Sequence, residues 1–430
     1  MSTFNGTHND GNRNRRQLPV RSALTLGLSL MLAVGISITA HAQSFSVIYN
    51  FTGGQDGAHP FAGLTVGSGN ALYGTAFGGG THHFGTVFEL SHSGSGWILT
   101  PLYSFAGNSD GAGPVARVVI GPDGGLYGST SAGGEGTCNN HNGYLGCGTV
   151  FKLRPPATMP HSVIVNWSSN VIYRFSGSNG AYPQGDLTFD DAGNIYGTTI
   201  NGGSHGWGLI YSLTQSNGHW NENVLYQVQN NGDGQYAWSG VVRDSSGNLY
   251  GVFSGGGPDQ YGAIYKLTHS GSGWVESTVH AFTFHGNDGA APQGGLVTDR
   301  SGNIYGSTVH NPTGGGVVFE LSPSGGGWSY DVLYGLTGGI GLGPYDKLVM
   351  DSAGNLYGTT FGDGRYGRGS VFKLTSSFGG WTYETLHDFT GGTDGSNPMS
   401  SLVLDSEGNL YGTASAGGSS GNGVVFQIRP

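Results

Sequence analysis

Seven equivalent positions, one in each unit of an internal repeat, hold the residues best placed to do chemistry. They are Gly63, Arg117, Asp186, Gly240, Gly295, Lys347 and Ser401. Three carry charge where the others are small. Charged side chains gathered in a cleft are candidates for holding a ligand or moving a proton. Two readings follow. Arg117 and Asp186, in neighbouring units, pair as a structural ion pair, or they join Lys347 in a cluster that orients a ligand.

The loops that vary most between units carry aromatic residues beside polar ones. They read Gly80-Thr81-His82-His83-Phe84, residues 138–147 with His141 and Tyr144, Ser204-His205-Gly206-Trp207, Pro258-Asp259-Gln260-Tyr261, His310-Asn311-Pro312 and Arg365-Tyr366-Gly367-Arg368. Phe84, Tyr144, Trp207, Tyr261 and Tyr366 would stack on a sugar ring while their neighbours bond its hydroxyls. The same mixture suits a protein partner, where Tyr, Trp and Arg are common anchors. The plainer alternative is that these rings cover blade edges.

Other chemistry is thinly represented. His82, His83, His141 and His205 show no metal-ligand spacing. Asp56, Asp110, Asp233, Asp288 and Asp394 each precede Gly, whereas the third copy has Asn179-Gly180 and the sixth has Gly341 without an acid. A ring of carboxylates suits Ca²⁺, an oxygen-seeking ion. The competing reading is a turn in which each Asp bonds its own backbone, and on that reading no cofactor is needed. Asp190, Asp244, Asp299, Asp351 and Asp405, before Gly-Asn turns, are read as structural in the same way. No Gly-x-Ser-x-Gly elbow, His-Glu-x-x-His, phosphate loop or dinucleotide fingerprint occurs, and no catalytic residue is assigned. A glycosidase pair of carboxylates needs a separation of about 5–9.5 Å, a distance that spacing in the chain does not supply.

The elements that must position these residues come from the repeat. Gly-Asn-Leu-Tyr-Gly-Thr-Thr at residues 354–360 recurs seven times, its Tyr-Gly pairs lying 54, 69, 54, 55, 52 and 54 residues apart. A period of this size signals a propeller, solenoid or array. Around Tyr357 the unit reads as a short apolar run at residues 347–351, a turn, a strand at 356–360, a Gly-rich loop, a strand at 370–374, a second turn and a strand at 381–389. Four antiparallel strands per unit fit a propeller blade. Seven copies of the third strand are present, but only six fourth strands follow one. The seventh sits at the other end of the chain, at residues 45–51. A ring needs that displacement, because the N-terminal strand then completes the last blade and hides its edge. The expectation is an all-β, seven-bladed β-propeller over residues 43–430, closed by its N-terminal strand. The inter-blade loops and the loops between second and third strands should share one face.

Residues 1–42 read as a signal peptide: Arg13, Arg15, Arg16 and Arg21, then an apolar run at 23–38, then Ala40-His41-Ala42 as a small-x-small cleavage site. The run is short for a membrane span. Removing it leaves 12 basic and 25 acidic residues, a formal charge of −13. So acidic a surface repels nucleic acid and anionic lipid. The two cysteines, Cys138 and Cys147, are expected to form a disulfide in an exported protein.

The combination of Gly-Asn-Leu-Tyr-Gly-Thr-Thr, Gly-x-Val-Phe-x-Leu and Leu-Tyr-x-Phe with Gly-x-Asp-Gly-x-x-Pro resembles the GloVer tandem repeat of choice-of-anchor tandem repeat proteins, across residues 45–430. The resemblance implies an exported bacterial protein and carries over no catalytic residue. Family members often end in an anchoring segment. This chain ends on a repeat strand, so free secretion is expected ahead of surface attachment. The functional expectation is a monomeric, non-catalytic binding propeller for extracellular carbohydrate. The alternatives are a polysaccharide hydrolase or lyase and a protein-interaction scaffold of the cell envelope.

Overall fold

The sixth repeat shows how residue type dictates the unit. In the computed structural model, which describes residues 43–94, 96–139, 143–155, 167–271, 273–339 and 343–429, it forms strands Val349–Met350, Leu356–Thr360, Ser370–Ser377 and Gly380–Asp388. The expected leader, His141 and Gly341 lie outside the described residues. Every side chain of Leu356–Thr360 is buried, as befits a strand covered on both faces. Gly380–Asp388 alternates exposed and half-buried residues over its first half, the pattern of an outer strand with one wet face.

The turn between the first two strands is clamped by Asp351. Its Oδ1 accepts the Ala353 and Asn355 N–H groups at 2.9 Å, and its Oδ2 accepts Asn355 Nδ2 at 2.7 Å and the Tyr357 hydroxyl at 3.0 Å. Asp190, Asp244, Asp299 and Asp405 repeat this clamp on Asn194, Asn248, Asn303 and Asn409. The Tyr of the recurring motif is thus both a wall of the core and a fourth donor to the turn.

Seven four-stranded antiparallel sheets result. Six are built from consecutive strands. The seventh pairs Ser44–Asn50 with Val424–Arg429, Ser44 lying opposite Arg429 and Asn50 opposite Val424. Seven buried apolar clusters lie between successive blades. One joins Phe51, Leu64 and Phe88 to Tyr411 and Val425, and so links the last blade to the first. Another joins Tyr357 and Val371 to Phe426. The circle of clusters is continuous, and the fold is a closed seven-bladed β-propeller.

Loops share faces as expected. Ala58 bridges Gly78, Ala112 bridges Ala132, Ala181 bridges Asn201, Gln235 bridges Gly255, Ala290 bridges His310 and Ser396 bridges Ala416. Each bridge ties an inter-blade loop to the loop between second and third strands, so both lie at one end, called here the upper face. Among the described residues no helix is long and apolar enough to cross a membrane.

Candidate functional site

Six of the seven inter-blade loops are fixed by a side-chain clamp before they reach the channel. Asp56 accepts the Thr52 N–H at 2.7 Å and the Tyr49 hydroxyl at 2.9 Å. Asp110, Asp233, Asp288 and Asp394 accept equivalent N–H groups from Ala106, Gln229, Thr283 and Thr390. Asn179 takes the same place in the third copy, accepting the Ser176 N–H at 2.7 Å. These carboxylates therefore reach back to the end of the preceding outer strand, the backbone-bonding role of Asp in turns.

Four residues beyond each clamp stands a proline, replaced by Ala237 in one copy. The residue just before it has a left-handed φ: 55° at His59, 59° at Tyr182, 60° at Tyr236, 53° at Ala291 and 56° at Asn397. Side-chain-bearing residues adopt this conformation at a cost. Its recurrence makes it part of the scaffold, the bend that swings the chain in toward the axis.

The residue after the proline then lines a single cavity of about 660 Å³ at the channel mouth. All seven copies contribute: Phe61, Val115, Gln184, Trp238, Gln293, Tyr345 and Met399. Tyr182, Tyr236 and Phe77 add further rings, and Asn201 adds an amide. Phe61 packs edge-on against Phe77 at 5.3 Å, and Tyr345 against Phe361 at 5.3 Å, so the rings are held by packing. Two residues further along the chain, Arg117, Asp186, Gly240, Gly295 and Lys347 continue the lining.

Charge on this lining is arranged unevenly. Arg117 Nη2 meets Asp186 Oδ2 at 2.9 Å, and the Arg117 N–H donates to Asp186 Oδ1 at 3.1 Å. Asp346 accepts the Lys347 N–H at 2.6 Å on Oδ1 and the Ser401 N–H at 2.7 Å on Oδ2. Burial, reinforced by the Asp186 charge, pushes the Asp346 carboxyl up to about 6, against the pull of its two backbone donors and Arg117. Burial and then the Arg117 guanidinium hold the Lys347 ammonium below its ordinary range, with Asp186 and Asp346 pulling the other way. Both residues are half-buried and enclosed by the wall of the channel mouth, so desolvation leads. Among the described residues, no group of three His, Cys, Asp or Glu side chains gathers as a metal ion requires.

The sequence matches the Gloeobacter/Verrucomicrobia repeat over residues 33–166, 136–334 and 239–430. The chain belongs to that family. Among solved structures, this repeat protein resembles an ulvan lyase of a new polysaccharide lyase family, bound to a GlcA–Rha3S saccharide, at 12% identity and a TM-score of 0.53, covering 88% of this chain and 96% of that one. It also resembles a putative 6-phosphogluconolactonase from Bacteroides uniformis, at 13% identity and a TM-score of 0.50, covering 76% and 84%. At such identities the likeness is one of fold. Among curated proteins, none matches the sequence.

Of the residues singled out by the repeat pattern, Arg117, Asp186 and Lys347 line the cavity together, and Arg117 and Asp186 do pair. The loop aromatics stand outside it. Tyr144 packs on Phe77 at 5.4 Å and on Phe84 at 5.4 Å, and Trp207 packs edge-on to Tyr236 at 5.4 Å, each one ring away from the lining. Tyr261 stacks on Phe284 and is 39% exposed, while Tyr366, beside Arg365, is 51% exposed. Cys138 and Cys147 are bonded. The ring after the proline and Asp346 escaped sequence reasoning. The signal was available, because the comparison of equivalent positions that exposed Arg117, Asp186 and Lys347, made two residues earlier, exposes the aromatic and amide ring.

Proposed function

We propose that this repeat propeller binds carbohydrate across its upper channel mouth without transforming it. The observation that carries the reading is the composition of the seven-position ring: Trp238, Tyr345 and Phe61 as flat apolar faces, with Gln184 and Gln293 between them, around a cavity of about 660 Å³. Sugars present apolar faces edged with hydroxyls, and an apolar pocket with a few placed polar groups matches them. Arg117, Asp186 and Lys347 orient the ligand from below. Phe84, Tyr144, Trp207, Tyr261 and Tyr366 extend the platform outward for a longer chain. The fold is one on which an ulvan lyase holds a saccharide. The disulfide fits an oxidising compartment, in keeping with action outside the cytoplasm.

The test is a glycan panel on the purified protein, followed by Trp238→Ala and Tyr345→Ala on whatever binds. Each should weaken affinity by roughly tenfold, the range of a buried aromatic anchor. Unchanged affinity in both variants would put the site elsewhere.

A second reading, hydrolysis or elimination of polysaccharide, is favoured by one observation. A carboxyl held up to about 6 beside a lysine held low is an acid–base set matched to near-neutral pH. New reducing ends or unsaturated products would select it.

A further inference from the structure

The channel lining holds four ionic side chains, and three are already engaged. Arg117 and Asp186 hold each other. Asp346 has a backbone N–H on each carboxylate oxygen. Lys347 takes part in none of the ion pairs found among the described residues, and its ammonium has no hydrogen-bond acceptor among them. Its stem is nevertheless fixed. A Cβ built on Gly295 would lie 3.4 Å from Lys347 Cβ and 3.5 Å from Lys347 Cδ, so the methylenes lie along the bare backbone of the neighbouring blade. In ring order Gly240 and Gly295 stand between Asp186 and Lys347, and both lack a side chain. The result is a packed lysine with an unmatched ammonium beside a gap in the wall.

An ammonium enclosed by a channel wall and without a protein acceptor is poorly matched until a counter-ion pairs with it. The channel carboxylates are spent on other donors, so the natural counter-ion is one that arrives with the ligand. We propose that the ligand is a uronate-bearing saccharide whose carboxylate is anchored on the Lys347 ammonium. This rests on the carbohydrate reading above and narrows it to acidic sugars. The chain's formal charge is −10, so the affinity comes from this local cation and not from the overall field.

The groups facing Lys347 set the pH dependence. They are Asp346 beside it and Arg117 and Asp186, each of which acts on it through charge, while the phenols of Tyr182, Tyr236 and Tyr345 line the same cavity. The Asp346 charge, close to the ammonium, repels a carboxylate bound there. Asp346 loses that charge as pH falls through about 6, while a uronate stays ionised to roughly pH 4. Lys347 also becomes more fully protonated in that direction. Acid-sugar affinity therefore rises as pH falls from 7 to 5.

The experiment is calorimetric titration of the purified protein with galacturonate, glucuronate and guluronate oligomers and with their methyl esters, at pH 5 and 7. At least one acid should bind about tenfold or more tightly than its ester, the worth of a charge-assisted hydrogen bond, and should gain several-fold from pH 7 to 5. Lys347→Met should abolish the acid–ester difference by weakening the acid much more than the ester, while Lys347→Arg restores most of the difference. Acid and ester bound equally well, or weakened equally by Lys347→Met, would overturn the anchor while sparing the carbohydrate reading. Binding of none of these saccharides would overturn the anchor, and the glycan panel then decides the carbohydrate reading by itself. Should Lys347→Met fail to fold, the acid–ester difference and its pH trend on the unaltered protein decide alone: no difference at either pH overturns the anchor.

Discussion

Glu276, like its counterpart Glu222 one blade earlier, is an acid at a position that is apolar or aromatic in four of the other blades and Ser169 in the fifth. It lies opposite Leu267, as Leu99, Tyr330, Tyr383 and Phe45 lie opposite Leu90, Leu321, Leu374 and Ile428 in other blades. Burial, with the nearby Asp233 charge, pushes its carboxyl up to about 7. Glu222 is raised in the same way one blade earlier. A carboxyl whose folded value exceeds its unfolded one binds its proton more tightly in the native state. Its stabilising contribution is full below about 4.5 and is lost as pH rises through about 7. The melting temperature of the protein should therefore fall from pH 5 to pH 8, and Glu276→Gln should flatten part of that fall. Parallel melting profiles for protein and variant across this window would refute the assignment.

At the same scale, what could be read in the chain depended on how local the interaction is. Asp351 and its counterparts bond atoms two to six residues away, so the Asp-x-x-Gly-Asn pattern contains the whole interaction and was legible. Whether Arg117 meets Asp186 was open, because a contact across 69 residues depends on how adjacent blades tilt, and the distance of 2.9 Å settles it. Asp346 and Trp238 are harder still. Their meaning comes from facing a channel, and nothing in Pro-Tyr-Asp-Lys says that its last three residues all line one.

Each blade's second strand depends on a residue that contributes no side chain. A Cβ on Gly358 would lie 2.6 Å from Phe372 Cζ and 2.8 Å from Leu348 Cδ2, and both partners belong to the packed interior. Gly74, Gly128, Gly306 and Gly412 stand under Phe88, Phe151, Phe319 and Phe426 in the same way. The Tyr-Gly pair is thus a fitted joint, with Tyr closing the turn clamp and Gly admitting the aromatic ring of the next strand. Gly358→Ala should cost about 1–3 kcal/mol through overpacking, and the midpoint of denaturant unfolding should drop accordingly. Gly354 is different. It has open space around it but a φ of 84°, so substitution there would act through backbone strain alone. An unchanged midpoint for Gly358→Ala would show that the sheet relaxes around the added methyl, contrary to the close packing described. The recurrence of the motif was visible in the sequence. The reason for its glycine was not, because the ring that fills the space comes from the neighbouring strand.

For the whole molecule the decisive element is the first strand. Six blades close their third strand with a fourth that follows it in the chain, as Ser370–Ser377 is followed by Gly380–Asp388. The last blade lacks such a partner and takes Ser44–Asn50 from the opposite end of the chain. That strand also brings Phe45 against Phe389 and Phe426, and Tyr49 as a donor to the Asp56 clamp of the first inter-blade loop. Its loss would expose the edge of Val424–Arg429 and uncouple the clusters on both sides of the seam. Deleting residues 43–51 should therefore lower the melting temperature severely and promote association through the free edge. A deletion alone does not separate loss of closure from loss of any strand, so a permuted chain completes the test. Moving residues 44–50 behind residue 429 through a two-residue Asn-Gly turn reproduces the hairpin at Asn217-Gly218. If the ring needs the strand and not its place in the chain, the permuted protein should recover most of the lost stability and lose the association through the free edge. A permuted chain as unstable as the deletion would mean that the covalent crossing of the seam itself holds the circle, and a deletion that melts with the full chain would mean the ring does not need that strand to hold together.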